Sequence, residues 1–289
     1  MLTCAFAQSG PSANSAAIVD ALQDKAAAPA ADSSAKARQL LDQMIAALGG
    51  QAWLTYKTLS QQGRSYSFYH GKPNSTVVPY RRFYQYPDKE RHELPQQRDT
   101  VYFDLGMGVP VPLPGGKPGD VVLIYNGDKG YEKTYKGTAA EDPKIIEEVI
   151  RRRRHSLEVV LREWLKDPAT VFFYDGQSVA NQQLVDVVTL LTKDNDQVTI
   201  GIDVHTHLPI SKRYNWRDPD KYKVEDETTY ANYRKVQGIQ TPFTITTTRD
   251  GEMTGQSFLS HAEYNAVFSP GFFDATVTYN PEPHRSPKK

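Results

Sequence analysis

A single cysteine, Cys4, is all the thiol chemistry this chain carries, which excludes an intramolecular disulfide and any cysteine-cluster metal site. Long apolar runs are missing too, and none approaches the ~18 residues of a membrane-spanning helix. Charge of one sign is not in excess: 34 basic residues face 34 acidic ones, so the chain offers no broad basic face for nucleic acid. Catalytic signatures are equally scarce. Gly176-Gln177-Ser178-Val179-Ala180 and Gly255-Gln256-Ser257 both lack the second glycine of a nucleophile elbow, and Gly106-Met107-Gly108 opens onto prolines instead of a helix. His92-Glu93 has no histidine three residues on. Neither an enzyme nor a cofactor is therefore expected.

What the chain does have is tyrosine, 17 against 3 tryptophans, a bias suited to half-buried sheets. Residues 8 to 34 are rich in Ala, Ser and Pro, a composition unable to offset its ordering entropy. Ala5-Phe6-Ala7 before Gln8 fits the tail of an export signal whose positive start is missing. Residues 1–34 are thus expected to be a signal remnant and tether, 35–275 one folded domain, and 276–289, with Pro281, Pro283 and Pro287, a frayed tail. Ser34 caps a helix that shows Ala37, Leu40, Leu41, Met44, Ile45 and Leu48 on one face and stops at Gly49-Gly50.

From Leu59 the period falls to two, and short strands follow one another across turns such as Asn126-Gly127-Asp128-Lys129 and Asp250-Gly251. Such links favour antiparallel neighbours. Roughly ten or eleven strands are too many for a flat sheet, so the fold class expected is mainly β with helices, a strongly curved antiparallel sheet forming an incomplete barrel. Asp104 to Asp120, with four prolines and five glycines, reads as an extended loop or a flap over a cavity.

One stretch breaks the pattern. Pro143 to Asp167 places Ile146, Val149, Ile150, Leu157, Val160, Leu161, Trp164 and Leu165 in a single helical stripe of about six turns, which must bury itself against the sheet. Arg151 to Arg154 and His155 interrupt it. Arg151 and Arg152 can face water, whereas Arg153 or Arg154 falls within the stripe and must snorkel or find a partner. The plain reading is a solvated face; the sharper one is an anion or headgroup site. An arginine in the stripe weakens it as a permanent plug, so the helix is expected to act as a lid, with Ile150, Arg153, Arg154, Leu157, Leu161 and Trp164 as candidate ligand-binding residues.

Two other groups resemble metal sites. His205-Thr206-His207 runs at once into Leu208-Pro209 and reads as a turn. Asp218, Asp220, Glu225, Asp226 and Glu227 read as a solvated hairpin tip. No metal is expected at either.

Several short segments in fixed order carry a resemblance: Ala47-Leu48-Gly49-Gly50, Tyr125 to Tyr131, the arginine-bearing helix, Ile202-Asp203 with Thr206-His207-Leu208-Pro209, Tyr230 to Pro242, and Asn265-Ala266-Val267-Phe268-Ser269-Pro270. Over residues 35 to 273 the chain resembles the bacterial outer-membrane lipoprotein carrier and sorting proteins. That resemblance implies a periplasmic half barrel with helices across its open side, enclosing an apolar cavity for an acyl chain, and no enzyme. The partner implied is a hydrophobic ligand, an acylated protein or a membrane-associated protein; a sensor or protein-interaction domain of the same fold is the first alternative, and a secreted enzyme the second. His207 stands where the family pattern has glycine, so the turn there is expected to be left-handed and strained.

Overall fold

The computed structural model describes residues 32–73, 77–97, 102–103, 111–112 and 119–280. The export-signal reading, most of the tether, most of the proline-rich stretch and residues 281–289 lie outside them. Helix α1 occupies 32–48 and α2 Gln51–Thr55. Strands follow as β1 (Thr58–Tyr69), β2 (Lys72–Pro73), β3 (Val78–Gln85), β4 (Lys89–Gln97), β5 (Tyr102–Phe103), β6 (Val111–Pro112), β7 (Gly119–Asn126), β8 (Lys129–Thr134) and β9 (Gly137–Ala140). Then come α3 (Pro143–Arg154), α4 (Leu157–Arg162) and a 3-10 turn at Trp164–Lys166. The chain returns to strands with β10 (Val171–Ala180), β11 (Gln183–Leu191), β12 (Gln197–Asp203), β13 (Pro209–Arg217), β14 (Lys223–Val236), β15 (Ile239–Arg249) and β16 (Glu252–Tyr264).

One antiparallel sheet takes fourteen of these strands, in the order β10-β11-β12-β13-β14-β15-β16-β1-β3-β4-β7-β8-β9, with β2 on β1. The sheet does not close, so β10 and β9 are its two edges. The first half of the chain builds one wing and the second half the other, and they meet where β1 pairs with β16. At this seam the register slips between Gln62 and Gly63. A Cβ on Gly63 would stand 2.3 Å from the carbonyl oxygen of Phe258; only glycine lets the backbones approach this closely, and the bulge adds local twist to the sheet.

The strand count exceeds ten or eleven in part because β2 is two residues long and β9, Gly-Thr-Ala-Ala, has none of the bulky alternation that marks a strand. The helical connection has a topological task that its sequence does not announce. It leaves β9 at one edge and enters β10 at the other, so it must cross the open side of the curve.

That crossing is not one helix. Asp142 caps α3, its carboxylate accepting from Lys144 N at 2.8 Å, and Pro143 takes the first turn. At His155 the helix ends; Ser156 is extended (φ −69°, ψ 153°) and its Oγ accepts from Val159 N at 3.3 Å, starting α4. Two turns separate Ile150 from Leu157, so the apolar period survives the break and hides it.

Two cores result. Leu157, Val160, Leu161, Trp164 and Leu165 pack with Leu40, Leu41, Met44 and Leu48 of α1 onto Val188, Leu190, Val198, Ile200 and Ile202 of the second wing. Val149 of α3 packs on Val78, Tyr80, Leu94, Val121, Leu123 and Tyr125 of the first wing. Residues 32–34, expected in the tether, are already helical, and Ser33 Oγ exchanges hydrogen bonds with the backbone of Tyr174. Residues 276–280, expected to fray, run beside β9, where Thr278 N donates to Thr138 O at 2.8 Å.

Candidate functional site

Between the two cores, beneath the break at His155 and Ser156, lies a cavity of about 290 Å³. The strand period decides what faces it. On β3, Tyr80, Arg82 and Tyr84 point in, while Arg81 and Phe83 point out; on β4, Glu90, His92 and Leu94 point in, while Arg91 and Glu93 point out. The outer set forms its own structure: Arg81 and Arg91 both pair with Glu93, and Phe83 packs edge-on against Phe268 and Phe272. From the second wing come Lys212, Tyr230, Tyr233 and Thr241, from the helices Trp53, Arg152, Arg153, Ser156, Leu157 and Glu158.

The cavity is therefore mixed in character. Leu48, Leu59, Leu94, Leu157 and Ile245 supply apolar wall, and Tyr56, Tyr80, Tyr84, Tyr230, Tyr233 and Tyr264 supply phenol faces. Burial, reinforced by the Glu158 charge, pushes the phenols of Tyr84 and Tyr230 well up, so both are neutral hydrogen-bonding groups. Glu158 Oε1 accepts from Tyr56 Oη at 2.8 Å.

Its charged floor centres on Glu90. Arg153 Nε approaches Glu90 Oε1 at 3.2 Å, Arg152 Nη2 approaches Oε2 at 3.4 Å, and His92 Nε2 donates to Oε2 at 3.3 Å. Burial by itself would raise Glu90, but the His92 hydrogen bond and the two arginine charges outweigh it and hold the carboxyl below its usual range. Burial pulls His92 down to about 4, so the imidazole is neutral at pH 7. Lys212, 3% exposed, donates from Nζ to the carbonyl oxygen of His155 at 2.8 Å, completing the C-terminal end of α3; burial pulls it down to about 8.

Every residue of the arginine run has an ion-pair partner, so the solvated-face reading is corrected. Arg151 pairs with Glu148 and lies 3.5 Å above the Trp216 ring. Arg152 and Arg153 share Glu90, and Arg153 Nη1 also donates to Gly127 O at 2.9 Å. Arg154 leaves the cavity and meets Asp196 at 2.7 Å. Glu148 in turn pairs with Arg249, whose Nε reaches Asp226 at 2.6 Å. Helix α3 is thus fastened to both wings, the first through Glu90 and Gly127, the second through Arg249.

Of the six candidate ligand-binding residues, Arg153 and Leu157 line the cavity. Ile150 is 38% exposed, Arg154 sits outside on Asp196, and Leu161 and Trp164 lie in the core among α1, α4 and the second wing. The expectation that the whole helix acts as a lid does not fit that packing, because α4 belongs to the core. Lys212, Arg82 and Glu90 carry no motif, and His92 enters the sequence reading only as a rejected metal motif with Glu93. The available signal was the ionisable pair at even positions of β4, Glu90 and His92, in register with Leu94. Its weakness is that both faces of β3 and β4 carry charge, so alternation by itself does not say which faces in.

The turn at 203–209 forms as expected. Asp203 Oδ1 accepts from His205 N, Thr206 N and Thr206 Oγ1 at 2.7–3.1 Å, and His207 takes φ +56°. Among the described residues no group of three or more His, Cys, Asp or Glu side chains is placed to hold a metal. A wider depression on the outer face, near Asp175, Thr189, Thr199 and Arg213, is open to solvent.

No family model and no curated protein matches the chain. Solved structures do. A DUF1329 family protein from Desulfovibrio piger shares 11% identity at a TM-score of 0.51, over 82% of this chain and 97% of that one. A domain assigned to outer membrane lipoprotein sorting from Vibrio parahaemolyticus shares 12% at 0.49, over 83% and 97%, and a LolA superfamily protein from Nitrosomonas europaea 8% at 0.44, over 82% and 96%. The Desulfovibrio likeness runs across both wings, so the architecture as a whole is a shared one.

Proposed function

We propose that this protein is an exported, non-catalytic carrier that binds one chain of a lipid or another amphiphile in the cavity between the curved sheet and the helices. The observation that carries this reading is the cavity itself, walled by strands of both wings and roofed by the junction of α3 and α4. At about 290 Å³ it is near the lower end of small-ligand sites, roomy enough for part of a single chain and too small for several. Its carboxylates are both engaged, Glu90 with His92 and two arginines, Glu158 with Tyr56, an arrangement that supports binding over turnover. Export rests on the Ala5-Phe6-Ala7 segment; a role in outer-membrane lipoprotein sorting rests on the ordered motifs.

Purification without a tag, organic extraction and mass spectrometry test the reading. A single-chain or partly inserted amphiphile should co-purify in near-stoichiometric amount. Trp53 lines the cavity, so titrating delipidated protein with single-chain amphiphiles should change tryptophan emission saturably. Clean extracts together with unchanged emission would refute the carrier reading and leave an interaction domain of the same fold.

A further inference from the structure

The charges around the cavity do not balance. Four cationic side chains border it, Arg82, Arg152, Arg153 and Lys212, against two carboxylates, Glu90 and Glu158. Glu90 is shared by Arg152 and Arg153, and Glu158 hydrogen-bonds to a phenol. Among the described residues Arg82 has no ion pair within 4.0 Å, and its Nε is buried without a hydrogen-bond partner, as is Nη2 of Arg153. Arg82 is nevertheless a cation at neutral pH, since a guanidinium keeps its proton even when burial lowers its pKa. Arg152 stands close enough to disfavour the charge on both Arg82 and Lys212, so the cations form one cluster. Buried charge of one sign with open donors is costly unless something of opposite sign completes it.

We propose that the ligand is a single-chain amphiphile with an anionic headgroup, a carboxylate or a phosphate, whose oxygens accept from Arg82, Arg153 and Lys212 while its chain lies against the tyrosine and leucine wall. The proposal rests on the carrier reading and adds the chemistry of the headgroup. An oxyanion suits these donors because a guanidinium offers a planar fork and an ammonium a compact charge. A neutral headgroup would leave the donors to weaker acceptors. A cationic one would add a fifth positive charge to the cluster.

The test uses the delipidated full chain and four ligands of one chain length: dodecanoate, dodecyl phosphate, dodecanol and dodecyltrimethylammonium. Binding is read by calorimetry below the critical micelle concentrations. Hydrogen bonds to charged groups predict that at least one anion binds about tenfold or more tighter than dodecanol, with the ammonium weakest. Whichever anion leads identifies the source, fatty acid or phosphorylated lipid. In Arg82→Gln, or in Lys212→Met should the first variant fail to fold, the anion-to-alcohol ratio should drop below about threefold. Equal affinity for anions and alcohol, or a ratio unchanged in a folded variant, overturns the headgroup assignment while leaving the carrier reading intact. Binding of none of the four overturns both. The headgroup series on the wild type decides the question even if neither variant folds.

Discussion

His207 sits at φ +56° in a tight turn organised by Asp203, a conformation in which the side chain of an L-residue is crowded by its own backbone. Its Nδ1 is also buried without a partner. Replacing it with glycine removes both costs at the expense of greater freedom in the unfolded chain. His207→Gly is expected to stabilise the protein by about 0.5–1 kcal/mol, and His207→Val, β-branched and intolerant of this region, to destabilise it by more than about 1 kcal/mol. Urea denaturation measures both; a valine variant as stable as the wild type would show that the turn is not under strain. Glu141 offers a second test at one residue. Burial, aided by the Glu132 and Asp142 charges and opposed by a hydrogen bond from Asp142 N, raises its carboxyl from 4.5 to about 7. Between those values the unfolded chain has released this proton while the folded chain still holds it. Stability therefore falls as pH rises through that window, and the loss is complete above about 7. Glu141→Gln retains an amide oxygen for Asp142 N and removes the titration, so it should gain about 1–3 kcal/mol over wild type at pH 8 and almost nothing at pH 4. Equal gains at both pH values would mean that the charge is not the cause.

At the scale of elements, α4 and α3 do different things. Leu161 is 1% exposed and surrounded by α1 and the second wing. Leu161→Asp puts an unpaired carboxylate there and should cost about 3–5 kcal/mol or more, enough to abolish or nearly abolish folding. A variant that melts close to wild type would show that α4 swings out and would restore the lid. Ser156→Ala, which removes only the cap of α4, should cost about 1 kcal/mol. The sequence showed the stripe of 143–167 clearly because burial imposes the period. It concealed the break because Ser156 falls within a two-turn gap between Ile150 and Leu157 that keeps that period in phase. The arginines were visible as a group, yet their separate destinies were not, because Glu90, Gly127 and Asp196 are brought to them by strands and turns far away in the chain; only Glu148, one turn before Arg151 on the same helix, was within reach of the local pattern. The same holds for the cavity. Leu157 could be read from the helix, whereas Arg82 and Lys212 lie on strands whose facing depends on the curvature of the whole sheet.

The molecule as a whole has to manage two open edges, since its sheet curls without closing. At β10 the backbone of Tyr174 is met by Ser33 at the start of α1. At β9 the chain brings back its own end: Thr138 O accepts from Thr278 N at 2.8 Å and Tyr279 N at 3.3 Å, and Thr138 N donates to Thr278 Oγ1 at 2.8 Å. An uncovered edge is a template for pairing with another chain. A chain ending at Ala275 loses these three hydrogen bonds, worth about 1–3 kcal/mol together, and opens the β9 backbone. It should therefore unfold at lower denaturant concentration and self-associate as protein concentration rises. Gly137→Ala tests the same contact in the full chain. At φ +123° the new Cβ would stand 2.4 Å from Thr278 Oγ1, so the returning segment must lift off. Denaturation and sedimentation velocity on both variants check the argument. If the shortened chain matches wild type in midpoint and sedimentation while only Gly137→Ala loses stability, the loss comes from strain at residue 137 and the returning segment does not protect the edge.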